Sequence, residues 1–437
     1  MCPVRRRTGQ TGRVTLAPGK MLGWDRQSPA CSPPKEAVVF LAGFTSYQKQ
    51  VLAILTLLNF LNYVDRQIVY ALVPLIKEEF VLTNFQVALL GTVFSVVHSL
   101  CALPLGLLAD RVSRKKIILY GAFFWSLATF LSGLAASFRS LLHVRALVGL
   151  GEAAYGPAAT AMITASFRRD LRARVQGIFF TGMFIGGSVG LGLGGVLAHW
   201  WGWRAAFFVV GVPGLLLALA TLRLPEPAKA GDTPMPVRIR HLLRDPAYTI
   251  TVLGGWCMAF AAYSYIFWGT EFIHRYKGFA LDEAGIVLGS SLAVAGVLGI
   301  LGGAAIADRL ARRVPWGHVS VVGMGVLLGT PLLYGALHTS SKGGFVALFF
   351  LACFFMSWYH GPLTATFHHL VPASTHATAV GFYYFFVNFF AVTLAPPVLG
   401  RLADRYDLMT ALNVPLVVQL IAAACFFAAA YLIHRRV

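Results

Sequence analysis

The chain has 437 residues, 57% hydrophobic and only 12% charged, and its 44 glycines and 33 phenylalanines exclude an ordinary water-soluble domain. A formal net charge of +19 raises a nucleic-acid partner, but the basic residues sit in short connections between long apolar windows, which is a membrane-topology signal. Six cysteines, Cys2, Cys31, Cys101, Cys257, Cys353 and Cys425, have no CxxC spacing and read as small packing residues.

Residues 1–47 contain Arg5, Arg6, Arg7 and the pair Pro33 and Pro34 but no apolar core like that of a cleaved leader, which predicts a disordered basic cytoplasmic tail. Twelve windows long enough to cross a hydrocarbon core follow. The first six, 51–76, 87–108, 117–138, 141–167, 175–201 and 205–222, make an amino-terminal bundle over 48–222. A polar stretch with Pro225, Pro227, Pro234 and Pro236 makes 223–246 a cytoplasmic linker. The other six, 248–273, 284–307, 319–337, 345–371, 377–399 and 408–433, make a carboxy-terminal bundle over 247–437. With the amino terminus placed inside, most of the 36 lysines and arginines face the cytoplasm and only Arg66 and Arg145 lie within the membrane, so both termini are predicted to be cytoplasmic.

A short motif recurs. "GLLADRVSRKK", from Gly106, follows the second window and brings Asp110, Arg111, Arg114, Lys115 and Lys116 to the inner rim; "AAIADRLARR" follows the eighth with Asp308, Arg309, Arg312 and Arg313. The two copies lie nearly half the chain apart, as parallel repeats would. An aspartate at such a place can accept hydrogen bonds from the start of a neighbouring helix and pair with a loop arginine, and Gly106 lets that helix come close. A third copy, "GRLADRYD" from Gly400, follows the eleventh window on the opposite face; it is assigned to the end of an outer loop, without the role of the other two.

Twelve spans as six plus six, with this acidic-basic loop between spans two and three, resemble the major facilitator superfamily. Within it, "LNFLNYVDRQ", "RALVGLGEAAYGPAATAMI" and "LRLPEPAK" are similar to the spinster-like transporters, whose vertebrate members move lysophospholipids or sphingosine-1-phosphate. The resemblance implies an all-α membrane protein with two six-helix bundles around a central cavity, and a cytoplasmic latch built by Gly106, Asp110, Arg111 and Arg114 with Asp308 and Arg309 as a degenerate second copy. The sequence departs from these relatives at "FWGTEFI", where they carry Trp-x-Pro and this chain has Trp268 and Thr270, then Glu271.

The sharpest feature is charge inside the membrane. Asp65 and Arg66 lie near the middle of the first window, and Arg145 and Glu152 lie in the fourth, seven positions apart and so on nearly one helix face, about 10 Å along the axis. A charge near the bilayer centre costs about 2.5–3.5 kcal/mol on insertion scales and persists with a partner or a wet cavity. Adjacent residues on a helix point about 100° apart, so Asp65 and Arg66 do not satisfy only each other. If spans one and four face each other across the cavity, as the resemblance implies, the four groups can exchange partners as protons come and go, coupling a proton to substrate binding. A permanent ion-pair network that only orients two helices is the alternative.

Two stripes of small residues at spacing four, Gly182, Gly186, Gly190, Gly194 and Ala295, Gly299, Gly303, Ala307, permit close helix contact, and the resemblance pairs span five with span eight through them. His98, His360, Tyr383, Asn388 and Glu271 are candidates for the cavity lining. There is no metal-ligand cluster, nucleophile motif or soluble phosphate loop, so neither an enzyme nor a cofactor is expected. The resulting expectation is a monomeric, proton-coupled carrier of a small amphipathic anionic lipid such as a lysophospholipid. It would sit in a bacterial inner membrane, with membrane lipid around it and no nucleic-acid partner. A proton-linked carrier of small organic acids or drugs, and a channel or non-transporting receptor, are the rival readings.

Overall fold

The computed structural model describes residues 44–168, 171–226, 242–372 and 375–436; of residues 103, 107, 109–111, 173, 174 and 377 it describes the backbone alone. The amino-terminal tail up to residue 43 and the linker over 227–241 lie outside the described residues.

Twelve helical rods run back and forth among them. They are α1 (Ser46–Glu79), α2 (Asn84–Arg111), α3 (Arg114–Ser132) and α4 (Phe138–Ser166), then one helical segment, Arg172–Ala220, that breaks at Gly202 into α5 (172–201) and α6 (203–220). The carboxy-terminal half has α7 (Pro246–Lys277), α8 (Leu281–Ala311), α9 (Gly317–His338), α10 (Lys342–Leu370), α11 (376–405) and α12 (Leu408–His434). Gly202 has φ of +77°, a left-handed conformation that only glycine adopts cheaply, and it turns the chain back across the membrane. Trp200 and Trp201 stand exposed beside it, where aromatic rings suit the membrane–water interface.

The helix starts are written in the local sequence. Thr45 with Gln48 and Thr83 with Gln86 form capping boxes at α1 and α2, Ser113 caps α3, Ser137 caps α4, and Asp245 caps α7 with Pro246 at the first helical position. Among the described residues, eight helical segments, with the kinked 175–223 counted as one, are long and apolar enough to cross a membrane by length and composition. The strip of each rod turned to its neighbours is buried, while large apolar side chains such as Leu216, Leu301 and Val417 stay exposed on the outside, the inside-out distribution a hydrocarbon solvent calls for.

Both α8 and α11 contain a π-helical stretch, Ser291–Ala295 and Val387–Val392. Such stretches shift the helix face by one residue and occur often at functional sites. The second contains Asn388, and both lie beside the voids described below.

The small-residue stripes serve a different pairing from the expected one. A methyl group added at Gly182, Gly190 or Gly194 would meet Thr56, Val64 or Ala71 of α1 within 2.8 Å, and one at Gly303 would meet Trp358 of α10 at 2.7 Å. These stripes therefore pack within each half. The contact between α5 and α8 is made by other small residues: Gly195 lies against the Leu281 carbonyl, Gly285 against the Leu191 carbonyl and Gly289 against Ser188. Spacing four marks a helix face that permits close approach but does not name the helix that approaches.

Candidate functional site

The structure brings the four intramembrane charges together as two crossed ion pairs. Arg145 of α4 donates from Nη1 to Oδ1 of Asp65 on α1 at 3.0 Å, and Thr129 of α3 donates its hydroxyl to Oδ2 of the same carboxylate. Arg66 of α1 donates from Nη2 and Nε to Oε2 of Glu152 on α4, at 2.8 and 3.3 Å. Neighbours on α1 thus pair with residues about two turns apart on nearly one face of α4, each acid taking the base of the other helix. Saturation is incomplete: Glu152 Oε1 and Arg145 Nε are buried without a hydrogen-bond partner. The ring of Phe94 on α2 lies under both cations, 5.0 Å from the Arg66 guanidinium and 5.6 Å from that of Arg145. Close approach of α4 to α2 depends on Gly149, where a methyl group would sit 2.6 Å from the Phe94 carbonyl oxygen.

The four groups do not surround one wet chamber. Asp65, Arg145 and Glu152 are 1, 2 and 2% exposed. Only Arg66 reaches a void, a crevice of about 10 Å³, roughly the space of one water molecule, shared with Ser95, His98, Ser99, Tyr263 and Asn388. His98 Nε2 lies 3.4 Å from Arg66 Nη2 and its ring stacks on Phe94. The large cavity, about 260 Å³, lies elsewhere between the halves. Its wall takes Tyr63 and Gln67 from α1, Phe184 and Leu191 from α5, Met258 and Tyr263 from α7, Leu288 and Ile300 from α8, Phe349, Tyr359 and His360 from α10, and Gln419 from α12. Among the described residues no Asp, Glu, Lys or Arg lines it, and Tyr263 borders both spaces. The large void and the charged cluster are neighbours rather than one site.

The remaining candidates divide. His360 lines the chamber, and His98 and Asn388 line the crevice. Tyr383 does not line either: it is buried in the carboxy-terminal half against Phe367, ring centroids 4.9 Å apart, where its large apolar area favours packing. Glu271 is also absent from both. It is buried at the far end of α7, paired with Arg275 one turn on at 2.8 Å and with Lys77 of α1 at 3.3 Å.

At the end of the molecule carrying the α2–α3 connection, the side chains of Asp110 and Arg111 lie outside the described residues. Among the described residues a methyl group on Gly106 would meet Pro157 at 3.6 Å, an ordinary contact. Arg114 reaches the Ala161 carbonyl at 3.4 Å. Asp308 is exposed and lies 3.3 Å from His318 of its own half, and Arg309 is exposed. At this rim Glu226, from "LRLPEPAK", accepts the Ser113 hydroxyl and the Arg114 and Lys115 N–H groups, at 2.8 and 3.1 Å for the latter two, completing the start of α3.

Polar ties between the halves cluster at the opposite end. The third motif copy supplies one: Asp404, in the last turn of α11, accepts the Asn84 and Phe85 N–H groups at 2.7 and 2.9 Å, capping α2 of the other half. An aspartate assigned to a loop without a role is thus a helix cap across the two halves. Lys77 bridges Asn84 Oδ1 at 2.5 Å and Glu271, and further in, Thr92 donates to the Thr393 carbonyl at 3.2 Å. Nearby, Glu79 accepts both Arg204 Nη atoms at 2.7 and 2.6 Å and Trp203 Nε1 at 2.6 Å; the Arg204 fork holds its carboxyl below the usual glutamate range.

Comparison with known proteins agrees with this architecture. Residues 55–396 match the family model described as Major Facilitator Superfamily. The chain is 27% identical to "Protein spinster" of Drosophila melanogaster over 348 residues, covering 75% of this chain and 58% of that protein. It is 28% identical to "Protein spinster homolog 1" of Bos taurus over 89% of this chain and 79% of that one, and 28% identical to an "MFS-type efflux pump" of Mycolicibacterium smegmatis over 80% and 83%. It thus spans less than two thirds of the length of the Drosophila relative. Among solved structures, a bacterial homolog of the human lysosomal transporter Spinster, in an inward-facing and unoccupied conformation, superposes with a TM-score of 0.81 at 25% identity, over 90% of this chain and 99% of that one. Twelve rods in two halves, buried charge pairs between α1 and α4 and a family match across most of the chain lead to one assignment: this membrane protein belongs to the Major Facilitator Superfamily of transporters and resembles its spinster branch.

Proposed function

We propose that the chain is a proton-coupled secondary transporter that carries an amphipathic anionic lipid, such as a lysophospholipid, by alternating access. The observation that carries this reading is the pair of crossed ion pairs, Asp65 with Arg145 and Arg66 with Glu152, buried in the membrane beside an uncharged chamber. Protonating Glu152 cancels the charge that holds Arg66, whose side chain is 12% exposed and borders the crevice. Released, that guanidinium becomes available to an anionic head group beyond Tyr263, while the apolar walls of the chamber suit an acyl chain. Loss of the proton restores the pair and expels the anion. Two bundles, near 48–222 and 247–437, would rock about the α5–α8 contact, with Asp404, Lys77 and Glu271 closing one end and Asp110 and Asp308 serving the other. Both termini are taken as cytoplasmic, and the working unit as one chain.

Similarity to a bacterial homolog of the human lysosomal transporter Spinster and to spinster homologs supports transport, and the lipid-like cargo follows from the sequence resemblance to the spinster-like transporters. The Mycolicibacterium relative supports a second reading, efflux of apolar drugs through the same chamber. Flux of labelled lysophosphatidylethanolamine in proteoliposomes, with and without a pH gradient, tests the proposal. Gradient-driven flux that Glu152→Gln abolishes is expected. Flux of equal size after the gradient is collapsed removes the proton coupling, and flux of cationic dyes without flux of lysolipid favours the second reading.

A further inference from the structure

We propose that His199 and Asp282 form a second proton-binding site, set across the two halves at their tied end and apart from the intramembrane charge cluster. Uptake of a proton by the His199 ring ties α5 to α8, and its loss frees them.

The placement follows from the helix faces that touch. His199 stands one turn beyond Gly195 on α5, and Asp282 nearly one turn before Gly285 on α8. A methyl group on Gly195 would sit 3.4 Å from the Asp282 Cα and 2.8 Å from the Leu281 carbonyl oxygen, and one on Gly285 would sit 2.6 Å from the Leu191 carbonyl oxygen. These backbone contacts set the spacing, and they leave His199 Nδ1 3.9 Å from Asp282 Oδ1. That gap is too long for a hydrogen bond and within the range of an ion pair. Asp282 Oδ1 is buried and has no hydrogen-bond partner. A shift of about 1 Å by the exposed ring would turn the contact into a charge-assisted hydrogen bond. Each charge also sits at the helix end whose dipole favours it, the histidine in the last turn of α5 and the carboxylate in the first turn of α8. The His199 side chain is 44% exposed, beside Trp200 and Trp201, so a proton from water reaches it.

Most other charged groups of the packed elements are engaged elsewhere. On α1, Glu79 holds Arg204 of α6, Lys77 reaches Asn84 and Glu271, and Glu78 is exposed. On α7, Arg275 pairs with Glu271, His274 Nδ1 lies 2.8 Å from the Phe279 carbonyl, and Lys277 donates to the Leu337 and Thr339 carbonyls. On α8, Glu283 accepts the Ala280 N–H, and α3 brings no charged residue to this end. A neutral ring offers Asp282 no charge, so the tie forms as pH falls through the histidine range, roughly pH 8 to 5, and lapses as pH rises. Its sense differs from that of Glu152: a proton there breaks a bridge inside one half, whereas a proton here makes one between halves.

The test uses the full chain in lipid nanodiscs, without ligand, with spin labels at Leu134→Cys and Ser340→Cys reporting the separation of the halves at this end. At about pH 5.5 the ratio of shorter-distance to longer-distance populations in wild type should exceed that in His199→Gln about two- to fivefold, the range of a part-exposed ion pair. At about pH 8 the two should match. His199→Lys, charged throughout, should keep the higher ratio at both values, and with Asp282→Asn all three side chains at position 199 should behave alike. Equal ratios in wild type and His199→Gln at both pH values, or a difference that persists with Asp282→Asn, overturn the proposal. Each comparison is made at one pH, so titration of Glu152 cancels, and a negative result here leaves the reading of the charge cluster standing.

Discussion

Replacing Asp404 by alanine should loosen the end of the molecule where the halves are tied. The first turn of α2 has four N–H groups without a partner in their own helix. The capping box takes two of them, the Gln86 N–H through the Thr83 hydroxyl at 3.1 Å and the Thr83 N–H through the Gln86 side chain at 2.9 Å. The other two, Asn84 and Phe85, go to Asp404 of the opposite half. A cap of this kind contributes about 1 kcal/mol and a carboxylate at a helix start about 0.3–1 kcal/mol more, so alanine should cost about 1–2 kcal/mol, all of it in the state where α11 meets α2. That shifts the balance between closed and open forms of this end about 5–30-fold. Spin labels at Leu134→Cys and Ser340→Cys, on α3–α4 and α9–α10 connections of the two halves, report the separation. The longer-distance population should grow in Asp404→Ala, less in Asp404→Asn, and amide exchange at Asn84 and Phe85 should quicken. Identical distance distributions and unchanged exchange in Asp404→Ala would refute the reasoning, since they would mean that the two bonds hold nothing across the halves.

Three further outcomes are expected. Arg145→Met strands Asp65 as a buried charge and should lower stability by about 3–5 kcal/mol, whereas Asp65→Leu combined with Arg145→Met should recover most of it; thermal unfolding of wild type, both single variants and the double variant gives the coupling. Gly289→Leu should arrest transport by holding α8 away from Ser188, while Gly106→Ala, with an ordinary contact awaiting its methyl group, should leave initial flux within about twofold; parallel vesicle assays separate them. The Glu79 carboxyl is held below its usual value of 4.5, so the stability it contributes is present above that value and lost as pH falls through the lower folded one. Unfolding followed from about pH 6 to pH 3 should show that loss in wild type and a flatter profile in Glu79→Gln.

Much of the fold is legible because membrane helices announce themselves locally. Apolar length, basic connections and the caps Thr45, Thr83, Ser113 and Ser137 are properties of adjacent residues. The charge cluster was legible for a related reason: Asp65, Arg66, Arg145 and Glu152 are too costly in hydrocarbon to stand alone, and a spacing of seven aligns the last two. Their detailed pairing was not, because the same four letters allow several partner sets and one large or two small voids. Partner choice across long separations was least legible. Glu271 looks like a cavity acid until Lys77, far back in the chain, is found beside it, and Asp404 repeats a motif whose meaning depends on which helix start lies across from it. Gly285 and Gly289 carry the same spacing-four signal as the longer stripes, but a short stretch of two glycines offers less to read.

Phe94 carries one last implication. The two ion pairs share no hydrogen bond, yet both guanidinium groups draw on the electrons of this single ring. Each cation is attracted to the ring in addition to its own carboxylate, so an aliphatic side chain of similar bulk would loosen the hold on both guanidinium groups at once while leaving their carboxylate partners in place.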